Sequence, residues 1–344
     1  MKKRIFFYCS SSNLPSGGRK MIYQIVDLIN NSDFEHEAYV LHNKPNFRLS
    51  WFHNTTKVKS IRLYASRSKK TILKKKIDWL LNDIILKKTN EVLLSNQDVI
   101  FLAETQIEIS KFFTNNSVII FNQNPFFFLK KSYPKRLIFD KENNMIYKFF
   151  CYSESNYKIF TSIFPNINAR HGQLYIDETK FFYKKKKKMQ ILYMPRRRKD
   201  DFSLLSTLIK YDHKFNDIEF IPLENMNQSE IAEKMRESLF FLSFSYKEGF
   251  GLPPAEAMAC GCIVIGYTGI AGLEYFNKDY CFPIEEENIF EYYLTLSECM
   301  SLVKNDYNYF DQMRKNASDK ILKKYSKLNS QKINLSSIRE LIKD

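Results

Sequence analysis

No stretch of the 344 residues approaches the roughly eighteen consecutive apolar residues of a membrane helix, so no transmembrane span is expected. Met1-Lys-Lys-Arg has the charge of a secretory leader, but the apolar run behind it, Ile5 to Cys9, is too short for one. Metal patterns are missing as well. The five histidines, His36, His42, His53, His171 and His213, are scattered, and no H-x-x-x-H or D-x-D pair occurs. Of the six cysteines, Cys9, Cys151, Cys260, Cys262, Cys281 and Cys299, only Cys260 and Cys262 lie close together. A C-x-C without a second pair is not a zinc pattern, and cysteines in apolar segments read as buried free thiols in a reducing cytoplasm. There is no internal repeat and no G-x-G-x-x-G dinucleotide fingerprint.

What is present suits a globular chain with room for two domains: 44% hydrophobic and 26% charged residues. Thirty Phe and twenty-one Tyr carry no functional reading of their own. The net charge of +15 favours an anionic partner, such as a nucleotide, an acidic lipid surface or a phosphorylated glycan. Basic charge alone is weak evidence for nucleic acid, which is not expected here.

One stretch organises the rest: Ser245-Tyr-Lys-Glu-Gly-Phe-Gly-Leu-Pro-Pro-Ala-Glu-Ala-Met-Ala-Cys-Gly-Cys262. The apolar run Leu239 to Phe244 before it reads as a buried parallel strand. Gly249 and Gly251 make a loop, Pro253-Pro254 suit a helix's first turn, and Gly261 suits a left-handed cap. Ile263 to Ile265 is a second buried strand, which completes a strand–loop–helix–strand unit. The helix start is expected to offer unpaired N–H groups and a positive dipole end to an anion. Glu256 is placed in the first helical turn, and Glu248 at the strand's C-terminal end, where open α/β sheets hold ligands. Phosphates on amides and sugar hydroxyls on two carboxylates would suit a sugar nucleotide.

Glu248-Gly-Phe-Gly-Leu-Pro-Pro-Ala-Glu256-Ala-Met-Ala-Cys-Gly also resembles the signature of the retaining GT-B glycosyltransferases of group 1, family 4-like. The resemblance implies an α/β chain of GT-B fold: two Rossmann-like, doubly wound parallel-sheet domains facing a central cleft. It implies that Glu248 contacts the donor sugar and Glu256 holds the donor ribose. With them, Gly249, Phe250, Gly251 and Leu252 form the donor-binding loop.

Along the chain, Ile5 to Cys9 reads as the first strand, Ser10 to Gly18 as a loop, and Lys20 to Ile29 as an amphipathic helix. Gly17 and Gly18 are either a plain turn or, as the resemblance implies, the pair that faces donor phosphates and acceptor. Residues 62–88 alternate Ile and Leu at helical spacing with many Lys and Arg. They form either a core-facing helix with a solvated basic face or an interfacial helix on anionic lipid, with Trp79 near the boundary. Val99 to Ala103 and Val118 to Phe121 read as strands. Asn122 and Gln123 follow the second, where relatives carry a histidine towards the sugar. Neither amide accepts a proton at neutral pH, so both are candidate hydrogen-bonding groups on the acceptor side. Phe149 to Tyr152 reads as the first domain's last strand, with Ser153 an N-cap. Lys184 to Lys188 reads as a solvated linker at the hinge.

Gln190 to Met194 opens the second domain, and Pro195-Arg-Arg-Arg-Lys199 stands at that strand's end. Arg196 and Lys199, with Arg197 and Arg198 behind them, are either a pyrophosphate clamp or a solvated basic turn. The family's pattern has Gly where Pro195 stands. Ser229 to Ser238 reads as a capped helix. The glycine loop Thr268 to Gly272, with Glu274, is placed near the donor, and Asn316 to Lys327 reads as a basic terminal helix.

The expected domains are 1–168 (acceptor side), a linker 169–188, 189–325 (nucleotide-sugar binding) and a tail 326–344. The resemblance implies transfer of a sugar from a UDP- or GDP-type donor to a hydroxyl of a glycan or lipid-linked acceptor, with retention, in cell-surface polysaccharide or lipopolysaccharide synthesis. With Glu248, Arg196 and Lys199 as catalytic groups, cations would neutralise the leaving diphosphate and no metal or other cofactor is required. Cytoplasmic location, peripheral at the inner membrane face, follows from the same reading. The alternatives are a GT-B-fold sugar-nucleotide epimerase or phosphorylase, or a non-catalytic glycan- or lipid-binding protein of the same fold.

Overall fold

The structure is a computed structural model that describes residues 3–63, 90–131, 133, 138–140, 146–194 and 198–343. Trp79 and nearly all of the basic 62–88 segment lie outside these residues, as do Pro195, Arg196 and Arg197. The chain divides into two compact units. The first comprises 1–151, 160–171 and 335–344, the second 152–159 and 172–334.

The first unit is built on a seven-stranded parallel sheet. Its strands are β1 (Arg4–Tyr8), β2 (Glu37–His42), β3 (Val58–Ser60), β4 (Val99–Ala103), β5 (Ser117–Asn122), β6 (Lys148–Cys151) and β7 (Ala169–His171), in the order β3-β2-β1-β4-β5-β6-β7. The winding reverses between β1 and β4, as in doubly wound nucleotide-binding sheets. Short β7 pairs outside β6, so the segment Phe149 to Tyr152 is not the sheet's last strand. The abundant phenylalanines fill this core. Phe7 stacks on Phe101 with ring centroids 4.4 Å apart, and Phe121 on Phe150 at 5.6 Å. Helix α1 (Gly17–Asn30) begins at the glycine pair itself, so Gly17 and Gly18 are its first residues and not the end of a loop. Helix α2 (Pro125–Lys130) is capped by Asn124, whose side chain accepts from the Phe126 amide. Ser153 caps α3 (Glu154–Ile163): its hydroxyl accepts from the Asn156 amide at 3.1 Å.

The second unit carries β8 (Lys188–Tyr193), helix α4 (Lys199–Lys210), β9 (Glu219–Pro222), helix α5 (Gln228–Glu237), β10 (Ser238–Ser245), helix α6 (Leu252–Ala259), β11 (Ile263–Thr268) and β12 (Phe282–Ile284). Its five parallel strands run in the order β12-β11-β10-β8-β9, and the winding reverses between β8 and β10. β10 is buried from Ser238 to Phe244, as a central parallel strand requires. The cap of α5 is Asn227, in a reciprocal box with Glu230, rather than Ser229. After α7 (Ile289–Asn305), the expected terminal helix Asn316 to Lys327 is not one element: it begins inside α8 (Tyr307–Lys324), and Tyr325-Ser326 separates α8 from α9 (Lys327–Lys343).

The lysine run is not a solvated linker throughout. Lys188 opens β8, and the half-buried Lys187 ammonium donates to the carbonyls of Met235 (2.8 Å) and Cys260 (2.7 Å). Burial holds its pKa below the usual lysine value. All six cysteines are buried and unpaired with one another, as their apolar surroundings predict. Among the described residues no helix is long and apolar enough to cross a membrane.

Candidate functional site

In the second unit, a cavity of about 100 Å³ opens at the C-terminal ends of β8 and β10, where the strand order reverses. Met194, Phe244, Ser245, Glu248, Pro253 and Pro254 are among its lining residues. Open parallel sheets collect ligands at such reversals, because the flanking loops diverge there. The carboxylate Glu248 is held in place by its backbone: its amide donates to the Gly269 carbonyl at 3.1 Å, which ties the β10 loop to the loop after β11. Glu256 is half-buried on α6 and is the helix's fifth residue, so it opens the second turn, not the first. It does not line the cavity, but the Tyr275 phenol lies near both carboxylates. Burial pushes that phenol well above its ordinary pKa, and Glu274, Glu248, Cys281 and Glu256 push the same way.

The glycine loop differs from its expected use. Gly251 adopts φ +84°, and a Cβ there would stand 2.8 Å from the Tyr275 hydroxyl, which donates to the Gly251 carbonyl. The missing side chain therefore admits Tyr275 rather than a ligand. Phe250 is 4% exposed and packs on Tyr275 and Tyr325, with centroids about 5 Å away, so its side chain belongs to the core and not to a ligand surface. The Gly249 carbonyl is taken by the Ser153 hydroxyl at 2.6 Å. The helix start is also poorer in donors than expected, since Pro253 and Pro254 have no N–H. What remains is a run of amides ahead of the prolines. Those of Gly249, Phe250 and Gly251 donate to no backbone carbonyl among the described residues. Consecutive N–H groups of this kind form an anion-binding concavity.

Of the cations after β8, Arg198 is committed to the fold. It is 9% exposed, ion-pairs with Asp201, Glu286 and Glu287, and lies over the rings of Tyr246 and Tyr267. Its charge is offset within the second unit, so it is not available to a diphosphate. Lys199 opens α4, is exposed, and has no ion-pair partner among the described residues. Arg196 and Arg197 lie outside them. Glu274 is turned inwards. It accepts from the Ser155 amide and the Tyr325 hydroxyl, both at 2.8 Å, and burial raises its pKa, so it holds the fold together rather than facing a donor.

In the first unit, Gly17, Gly18 and Gln123 come together. Gln123 donates through Nε2 to the Gly18 carbonyl at 3.0 Å, and its Oε1 occupies the space a Cβ on Gly18 would need. Gly18 is thus required by Gln123, whereas a side chain at the exposed Gly17 would meet nothing within 4 Å. Asn122 is fully buried at the end of β5, which removes it from the acceptor surface. Glu104, behind Gln123, was not singled out by sequence reasoning. Its signal was an acidic residue directly after the buried run Val99 to Ala103. Tyr275 left no such signal, since its role depends on the fold. Among the described residues, no group of three or more His, Cys, Asp or Glu side chains is placed to hold a metal.

The chain is 35% identical over 88 residues to an alpha-1,6-glucosyltransferase of Actinobacillus pleuropneumoniae serotype 7 (strain AP76), covering 25% of this chain and 26% of that protein. The curated relatives are matched over about a quarter to a third of their own length. Among solved structures, sucrose-phosphate synthase from Thermosynechococcus elongatus superposes with a TM-score of 0.66 at 11% identity, over 99% of each chain. Anabaena HepE, solved in complex with UDP and glucose, gives 0.62 at 11% identity, over 99% of this chain and all of that one. These likenesses establish the GT-B fold. Residues 202–319, which include both Glu248 and Glu256, match the family described as glycosyl transferases group 1.

Proposed function

We propose that this chain is a glycosyltransferase that uses a nucleoside-diphosphate sugar. The observation that carries this reading is the position of Glu248: on a cavity at the second sheet's winding reversal, beside three amides that donate to no backbone carbonyl among the described residues, within the segment matched by the group 1 family. The diphosphate takes the amides of Gly249 to Gly251 and the cations Lys199 and Arg196, with Arg197 beside them. Glu248 orients the sugar, and Glu256 accepts from ribose hydroxyls. The donor is of UDP or GDP type; the likeness to a UDP- and glucose-bound fold and to a glucosyltransferase favours a hexose.

Departure of the diphosphate separates charge, and that is the costly event in the reaction. Preorganised donors at the leaving group lower that barrier without reorganising solvent. The acceptor hydroxyl then attacks the face the diphosphate leaves, and the leaving oxygen takes its proton, so configuration is retained. The acceptor is a hydroxyl of a glycan or a lipid-linked glycan, met by the first unit's Gly17, Gly18 and Gln123, in the synthesis of a cell-surface polysaccharide. A cytoplasmic enzyme bound at the inner membrane face fits the basic 62–88 segment. The test is turnover of UDP- and GDP-hexoses by the wild type and by Glu248→Ala. A transferase loses at least about a hundredfold in kcat on that change, whereas a protein that only binds glycan shows no turnover in either form.

A further inference from the structure

Glu104 directly follows β4, at the point where the first sheet's winding reverses, and is 3% exposed. No cation pairs with it among the described residues. Three backbone amides face its carboxylate instead: that of Gln123, 3.1 Å from Oε2, and those of Asn124 and Glu104 itself. Gln123 in turn reaches Gly18 in the first turn of α1. A line of contacts therefore runs from the end of β4, through the turn after β5, to the start of α1. We propose that Glu104 is a positioning residue whose carboxylate clamps the turn after β5 onto the start of α1, presenting Gln123 and Gly18 as one rigid acceptor-facing surface.

This rests on the transferase reading only for the word acceptor; the clamp itself is a property of the first unit. A buried carboxylate is expensive, and the chain keeps one here with amides rather than a cation as partners. Burial raises the Glu104 carboxyl to about 7, and the amides of Gln123, Glu104 and Asn124 pull the other way. Among the described residues the neighbouring groups are few. The Tyr133 hydroxyl donates to the Glu104 carbonyl at 2.7 Å, and the Cys151 thiol on β6 is held neutral by burial. Lys131 binds the Thr105 carbonyl and pairs with Glu108 at 3.8 Å. The clamp is therefore strongest when Glu104 is ionised and slackens as pH falls through neutrality.

The experiment compares wild type with Glu104→Gln, which keeps the volume and one acceptor oxygen but not the charge. Amide proton shifts of Gln123 and Asn124 are followed by NMR between pH 5 and 9. In the wild type they move together in one step centred near 7; in the variant they stay flat. Melting is measured over the same range. The difference moves in the variant's favour as pH rises, because only the wild type must ionise a buried carboxyl. Transfer from UDP-glucose to octyl β-glucoside at pH 8 falls about tenfold in the variant, with the donor KM unchanged. Flat shifts in the wild type, the same step in both proteins, or a variant that melts well below wild type at every pH each overturn the proposal. If the wild type turns over no nucleotide sugar, the transferase reading fails while the amide titration still decides the clamp.

Discussion

At Gly251 two demands coincide: a φ of +84° and a tyrosine hydroxyl 2.8 Å from where a Cβ would stand. Gly251→Ala is expected to cost about 1–3 kcal/mol of stability, read from urea denaturation. In a Tyr275→Phe background the steric share is relieved and the backbone share persists, so the loss shrinks without vanishing. His42 makes a second prediction at this scale. It is fully buried, donates through Nδ1 to the Cys9 carbonyl at 2.7 Å, and accepts at Nε2 from the Tyr23 hydroxyl at 2.8 Å. Burial lowers its pKa from 6.5 to about 4. The unfolded chain therefore takes up a proton that the folded chain refuses, and stability is lost as pH falls from about 6.5 to 4, by up to about 3 kcal/mol. Denaturation midpoints of His42→Asn should fall less steeply over that window than those of the wild type, even though the variant is weaker at pH 8.

Among the elements, α6 depends on a residue far along the chain. Arg314 on α8 is fully buried and donates to the Gly261 carbonyl at 2.9 Å, while its other nitrogen pairs with Asp311 at 2.6 Å. It thus anchors the C-terminal end of the helix that carries Glu256. Arg314→Met leaves Asp311 and that carbonyl without their buried partner and should destabilise the protein by about 3 kcal/mol, measured by denaturant unfolding. Activity per folded molecule should fall as well, because α6 loses its stop. Elements of this kind were unevenly legible in the sequence. The strand–loop–helix–strand around Glu248 could be read because apolar runs, glycines and prolines each constrain the backbone locally. The division of labour inside it could not. Gly251 is glycine for Tyr275, Phe250 faces the core, and Arg198 answers to Glu286 and Glu287, all through partners distant in sequence. The Lys184–Lys188 run misled for the same reason: charge density suggests solvent, yet Lys187 found carbonyls at the ends of α5 and α6. Short β7 escaped notice because three residues carry no periodicity.

For the whole molecule, the net charge of +15 is the property that acts at long range. It raises the local concentration of anions, so binding of a nucleoside diphosphate should weaken several-fold between about 0.05 and 0.5 M salt, followed by calorimetry. The central claim is that the second unit holds a nucleoside-diphosphate sugar at its winding reversal, and a thermal-shift screen against UDP-, GDP-, ADP- and CMP-sugars tests it most directly. A ligand at roughly a hundred times its Kd adds about 2.7 kcal/mol to the folded state. At least one of these nucleotides should therefore raise the melting temperature by a few degrees, and an unchanged melting temperature across the whole set would contradict the account.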